Sequence, residues 1–262
     1  MAILEPWILA VVLCMARLIG LFAVTPFLSP RVLTGVLRNA LVIALAVILA
    51  PALMAQVDGN IHFSVSLLFV MGKEVLLGLL VGYLVSIVFW ASSSIGFIVD
   101  NQRGSSMAEE ADPLSGEQSS PTGNLVFQTF TMIFYSTGGF LIFMGLLFDS
   151  YVAWPVLSFM PRLDGPRLLP FFFGQLDIFM YGVILLASPA MLICFLTDFY
   201  MGMVNRFAPQ LNVFFMAMPV KSALSLFLMV LYWGLLLSIL KDQLVSRMML
   251  VPLIEKLTHT VP

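Results

Sequence analysis

The chain has 262 residues, of which 61% are hydrophobic and only 10% charged, with a formal net charge of −2. A typical soluble domain carries about 25% charged residues, so this composition describes an integral membrane protein and leaves no basic footprint for nucleic acid. Uncharged runs at 39–57, 75–99, 118–148, 178–197 and 222–240 each approach or exceed the ~20 residues that cross the hydrocarbon layer as a helix, whereas membrane barrels use alternating segments of about 10 residues. The expected fold is all-α.

The first segment, about Pro6 to Leu28, is apolar but interrupted by Arg17. An arginine in the middle of such a helix is costly, so it should face protein, water or a carboxylate rather than lipid. No Lys or Arg precedes Arg17 and the apolar stretch runs past Phe27, a poor match to a cleaved signal peptide; the segment is expected to be retained. Arg31 and Arg38 lie in the connection to a second segment, about Val36 to Val57, which ends at the turn signal Asp58, Gly59, Asn60.

A third segment, about Ser64 to Val99, carries Lys73 beside Glu74. Neighbours on a helix point about 100° apart, so each can pair with another chain, while mutual or water-bridged neutralisation at the segment's end is the structural alternative. Gly78 and Gly82 form a small-xxx-small face that lets another helix approach closely.

The stretch Asp100 to Asn124 is the clear break in composition, rich in Ser, Gly and Pro, with five acids against one base. Composition alone describes a solvated, flexible loop, yet connections beyond about 12–15 residues are usually functional or disordered. Segment four follows, Leu125 to Phe148. After it, Ser150 to Pro170 reads as an amphipathic surface segment with Tyr151 and Trp154 as interface aromatics and Arg162 and Arg167 on the polar side. Segment five, about Phe171 to Tyr200, contains Pro189, which should kink it. Its Asp177 and Asp198 stand about 30 Å apart along a straight helix, too far for a shared carboxylate site.

Between segments five and six lies Asp198 to Lys221, DFYMGMVNRFAPQLNVFFMAMPVK, too apolar for an ordinary loop. Pro209 and Pro219 each remove a backbone donor and bias the preceding residue towards extended geometry, so a broken helix is expected here. Asn205, Arg206 and Gln210 are candidate donors for the carbonyls freed by the break, and Asn212 adds a further polar group. The break serves either as a turn between two membrane helices or as a docking point for partner subunits. Segment six, about Ser222 to Leu240, leads into a tail in which Lys241, Arg247 and Lys256 alternate with apolar residues, an amphipathic helix broken at Pro252.

No phosphate-binding loop, convincing nucleophile elbow or ligand-spaced His or Cys cluster occurs, so neither catalysis, nor a cofactor, nor a metal is expected. Cys14 and Cys194 sit in apolar runs as small hydrophobes, and His62 and His259 lack ligand-like neighbours. With alternating connections, Lys and Arg divide five to five between the two sides, removing the usual orientation signal.

Asn205 to Phe214, NRFAPQLNVF, with the Pro219–Val220–Lys221 step, resembles the signature segment of the T component of type III secretion export gates, the SctT family, with YscT, SpaR and HrcT members and FliR as flagellar relative. Gly72 to Leu84, GKEVLLGLLVGYL, and Gly96 to Ala108, GFIVDNQRGSSMA, match the same family in order, and the likeness is strongest to the YscT-like injectisome branch. The resemblance implies one T-component domain over 1–262, made of hydrophobic helical hairpins with broken helices and carrying a plug-like loop at about 100–124. It further implies a non-catalytic subunit that helps form and close a channel for unfolded secreted proteins.

The implied partners are five R-type and four S-type export-gate subunits per copy, the autocleaving switch protein, the large export-gate ring protein and the inner rod. The implied location is the bacterial inner membrane at the base of the secretion apparatus, raised towards the periplasm. The candidate plug residues are Gly104, Ser105, Ser106, Met107, Ala108, Glu109, Glu110, Asp112, Pro113 and Gly116. Arg17, Lys73, Glu74, Gly78, Gly82, Asn205, Arg206, Pro209, Gln210, Asn212 and Lys221 are expected in subunit packing. The alternative is a polytopic secondary transporter of a small solute, which also uses broken helices near polar groups.

Overall fold

The computed structural model describes residues 4–29, 32–54, 65–104, 120–156, 165–210 and 212–248. Among them every regular element is helical: α1 (Leu4–Val24), a 3-10 turn (Pro26–Leu28), α2 (Gly35–Met54), α3 (Val65–Arg103), α4 (Pro121–Ser136), α5 (Gly139–Ala153), α6 (Gly165–Phe207) and α7 (Val213–Met248). The all-α expectation is borne out. Four of these helices are long and apolar enough to cross a membrane, or five if the broken pair α4 and α5 counts as one span.

The chain folds as two compact units, one from Met1–Ile87, Gly138–Phe171 and Val245–Pro262, the other from Val88–Thr137 and Phe172–Leu244. In the first unit, α1 packs on α2 and crosses α3 at very short range. Glycines permit that crossing: a Cβ on Gly78 would strike the Arg17 carbonyl, one on Gly20 the Val75 carbonyl, and one on Gly82 would lie 2.9 Å from the Leu21 carbonyl oxygen. The small-xxx-small face therefore packs against a helix of the same chain, and Gly20 supplies the reciprocal gap. Ser86 Oγ reinforces the seam by donating to the Gly82 and Val24 carbonyls at 2.6 and 3.2 Å. Arg38 turns inward to donate to the Phe22 carbonyl at 2.7 Å, satisfying one of the orphan acceptors at the end of α1.

The second unit is built on an aromatic cluster and a long hairpin. Phe89 meets Phe130 and Phe134 with ring centroids 5.0 and 5.2 Å apart, and all three are buried. Each such pair adds about 0.5–1.5 kcal/mol beyond the area it buries. Helices α6 and α7 run antiparallel: Lys221 pairs with Asp198 at 2.8 Å, and a Cβ on Gly182 would sit 3.0 Å from Gln243 Nε2. Only 33% and 28% of their most hydrophobic stretches is buried, against 67% for α3.

Four boundaries differ from the sequence reading. Segment four is two helices: α4 stops at Ser136, Gly138 adopts a left-handed φ of +77°, and α5 restarts at Gly139. The uniform hydrophobicity of 125–148 hid the Ser-Thr-Gly-Gly punctuation at 136–139. Ser150, Tyr151 and Trp154 close α5 as buried residues, so neither aromatic is an interface anchor. Helix α6 runs from Gly165 to Phe207, longer at both ends than segment five as read from the sequence, with Pro189 inside it. The break expected over 198–221 narrows to residues 208–212, and Pro219 lies inside α7.

Candidate functional site

Three polar assemblies stand out against the apolar helices. In the first unit, Arg17 is fully buried and spends its whole fork internally. Its Nε donates to Glu74 Oε2 at 2.6 Å, Nη1 to the Ser150 carbonyl at 2.7 Å, and Nη2 to the Trp154 carbonyl at 2.8 Å. The guanidinium carbon also lies 4.1 Å from the centre of the Tyr151 ring, a cation–π contact, while the Tyr151 hydroxyl donates to the Cys14 carbonyl at 3.0 Å.

Glu74 Oε1 is 3.0 Å from Lys73 Nζ, an ion pair without the alignment of a hydrogen bond, and Lys73 donates to the Val156 carbonyl at 2.6 Å. The sequence reading expected Arg17, Lys73 and Glu74 to find partners across subunit interfaces. Their partners lie within the chain, and Arg17 and Glu74 present no surface on which another protein could pair with them. The close approach that Gly78 and Gly82 permit is made by α1 of the same chain. The chemistry explains the arrangement: the C-terminal end of α5 exposes carbonyls that need donors, and a buried arginine supplies several at once.

In the second unit, the two ends of the acidic stretch are tied together. Asp100 and Arg103 belong to the last turn of α3, and their ion pair measures 2.5 Å. Asp100 Oδ2 accepts from Ser120 Oγ at 2.6 Å and from the Thr122 amide at 3.0 Å, and Arg103 Nη2 donates to Thr122 Oγ1 at 2.9 Å. Ser120 is the N-cap of α4, taking the Gly123 amide at 2.9 Å, with Pro121 opening the helix.

Gly104 follows α3 with φ +84°, the left-handed residue that commonly ends a helix. The α3–α4 approach is as tight as glycine allows: a Cβ on Gly96 would collide with the Gly123 backbone, and one on Gly123 would lie 2.8 Å from the Ser93 carbonyl oxygen. Asp100, Arg103 and Thr122 are all buried. Beside them is a cavity of about 520 Å³ lined by Arg103, Pro121, Thr122, Leu125 and four residues of α7, Leu226, Met229, Val230 and Trp233.

Of the candidate plug residues, Gly104 alone is described; Ser105, Ser106, Met107, Ala108, Glu109, Glu110, Asp112, Pro113 and Gly116 lie outside the described residues. Sequence reasoning missed the clamp that frames them because it assigned 100–124 wholesale to the loop. The signal was present in the Ser120–Pro121 pair, an N-cap followed by a helix-opening proline.

At the α6–α7 tip, Asn205, Arg206, Pro209, Gln210 and Asn212 are all exposed. Among the described residues, none of Asn205, Arg206 or Gln210 makes a side-chain hydrogen bond, so the expected capping of freed carbonyls by these donors is not seen. The Ala208 amide continues the helical pattern to the Val204 carbonyl at 2.9 Å instead. Asp198, the acid nearest Arg206 in the sequence, is held by Lys221, whose side chain is buried. Asp177 and Asp198 are not brought together, and among the described residues no group of His, Cys, Asp and Glu could hold a metal ion.

Comparison with known proteins gives these assemblies a context. Residues 8–246 match the model of the bacterial export proteins, family 1. The chain is 40% identical over 254 residues to the Yop proteins translocation protein T of Yersinia pestis, covering 95% of this chain and 97% of that one. It is 31% identical to the surface presentation of antigens protein SpaR of Salmonella typhimurium, over 84% of this chain and 81% of the relative. The flagellar biosynthetic protein FliR of Escherichia coli is 26% identical, over 81% and 80%. The resemblance read from NRFAPQLNVF and its companion motifs is borne out: the chain belongs to the bacterial export proteins, family 1, in the T-component branch of type III secretion.

Proposed function

We propose that this chain is a non-catalytic subunit of a type III secretion export gate that helps form and close a channel for unfolded secreted polypeptides. Its family and its membrane-length apolar helices support the placement in an export apparatus. They leave the secondary-transporter alternative without support. The observation that carries the closing role is the clamp of Asp100, Arg103, Ser120 and Thr122. It fixes both roots of a Ser-, Gly- and acid-rich stretch on one rigid base, as a segment that obstructs a conduit and shifts aside without refolding a domain requires.

In this reading residues 104–116 form the plug. R-type and S-type subunits, in the proportion five to four per copy of this chain, cover its apolar faces. The autocleaving switch protein, the large ring protein and the inner rod are neighbours, and the complex sits in the bacterial inner membrane, raised towards the periplasm. Deleting Ser105 to Gly116 in the assembled complex should leave assembly intact and make membranes leaky to small ions. Unchanged permeability rules out the plug.

A further inference from the structure

The cavity of about 520 Å³ beside the clamp lies wholly within the second unit. Sites for small ligands typically enclose about 300–1,000 Å³, mostly apolar, with a few polar groups that fix orientation. Its rim is greasy and open, since Leu125, Leu226 and Val230 are 53%, 41% and 73% exposed. Its floor is closed by Met229, Thr122 and Arg103, all buried.

Arg103 is the group that points to a ligand. Its side chain is only 9% exposed, yet most of its donors are unspent. Among the described residues Nη2 serves both Asp100 and Thr122 Oγ1, whereas Nε is buried with no hydrogen-bond partner and Nη1 has no acceptor. Asp100 Oδ2 is already taken by Ser120 Oγ and the Thr122 amide. A guanidinium carries five N–H donors, and buried donors normally find acceptors.

The charged ends of the three wall helices lie together. On α3 the uncharged run 75–99 gives way to Asp100 and Arg103, on α7 the uncharged run 222–240 follows Lys221, and α4 opens against Asp100 before turning apolar at Leu125. A Cβ on Gly104 would lie 3.5 Å from Met218 Cγ, which sets the end of α3 beside the start of the α7 span. Asp198, paired with Lys221 and half exposed, marks a hydrated level there. The cavity wall then follows α7 from Leu226 to Trp233, about 10 Å into the charge-free run. A cationic donor at the polar border with an apolar channel leading inward matches the layout of a membrane lipid.

We infer that this cavity binds an acyl chain that ends in an oxyanion. The oxyanion accepts from Arg103 Nη1, and the chain lies along Leu226, Val230 and Trp233. A fatty acid and the phosphate of an anionic phospholipid share this chemistry. A neighbouring helix is about 10–12 Å thick with its side chains and cannot enter without parting α4 from α7. A free inorganic anion would leave the apolar walls unfilled. The inference goes beyond the gate reading and needs only the placement of the chain in a membrane.

The test uses native membranes that contain the complete apparatus. They receive palmitic acid with a diazirine in its chain, the matching fatty alcohol, or phosphatidylglycerol carrying the same diazirine chain, and labelled peptides are mapped by mass spectrometry after irradiation. One or both oxyanion probes should label the peptides holding Leu125 or Leu226 to Trp233 about tenfold or more above the alcohol, as one charge-assisted hydrogen bond allows. Which probe does so identifies the source. Arg103→Gln should erase that excess. Val230→Trp narrows the cavity from its rim without touching the clamp and should abolish the labelling, whereas Phe227→Trp, exposed on the same helix outside the cavity, should leave it unchanged. Equal labelling by acid and alcohol would overturn the inference, as would labelling indifferent to Val230→Trp. Unlabelled cavity peptides in the assembled apparatus, the result if another subunit's side chain fills the recess, would overturn it too. Should Arg103→Gln fail to accumulate, the comparison of Val230→Trp with Phe227→Trp still decides.

Discussion

Arg17 and Glu74, 57 residues apart in the chain, meet at 2.6 Å with neither side chain exposed. The pair joins the middle of α1 to α3, and through the other arms of the guanidinium it holds the carbonyl end of α5. A charge that reads in the sequence as a liability inside a membrane helix is thus the hub on which three helices of the first unit converge.

Breaking this hub should be expensive. Removing one partner of a buried ion pair typically costs about 3–5 kcal/mol, because the other charge is left uncompensated. Arg17→Ala is expected in that range, towards its lower part since Lys73 stays beside Glu74. Arg17→Lys should recover only part of the loss, because an ammonium cannot replace the fork that reaches Glu74, Ser150 and Trp154 together. Thermal unfolding of the purified protein in detergent measures this, and wild-type stability in Arg17→Ala would show that the network is not structural.

Glycine substitutions along α3 should separate by position. Gly78→Ala drives a methyl group into the Arg17 backbone, where overpacking costs about 1–3 kcal/mol or more. Gly72 is on the same helix, and a Cβ there meets nothing within 4 Å. Gly72→Ala should therefore be neutral or stabilising by up to about 1 kcal/mol through helix propensity alone. Equal melting temperatures for the two variants would contradict the close crossing of α1 and α3.

The clamp at the base of the acidic stretch should be readable by hydrogen exchange. Asp100→Ala removes the acceptor for the Thr122 amide and for Ser120 Oγ, and leaves Arg103 buried without its counter-charge. Faster exchange is expected at Thr122 and in the first turn of α4, with a stability loss of about 3 kcal/mol or more. Asp100→Asn keeps an oxygen acceptor and should show a smaller change. Identical exchange in all three proteins would mean that Asp100 does not hold the start of α4.

Much of the architecture was open to reading from residue order alone. Apolar runs of membrane length announced helices at α1, α3, α6 and α7, and the turn chemistry around Pro209 located the break between the last two, although it is shorter than the prolines suggested. These are local properties, set within a few residues by propensity, by proline's missing donor and by the length a bilayer demands. The break at Gly138 escaped because its flanks are equally apolar, which masked the short Ser-Thr-Gly-Gly turn signal between them.

What no reading of the chain could settle was the choice of partner for each buried charge. Arg17 had carboxylates and carbonyls throughout the sequence to choose from, and Lys221 rather than Arg206 took Asp198. Such pairings depend on which helices cross and at what distance. Glycines at the α1–α3 crossing and at the α3–α4 approach decide that through backbone contacts between residues that are remote in the chain. Helix type is written in local sequence, whereas a charge's neutrality in an apolar protein is fixed only when distant segments come within hydrogen-bond reach.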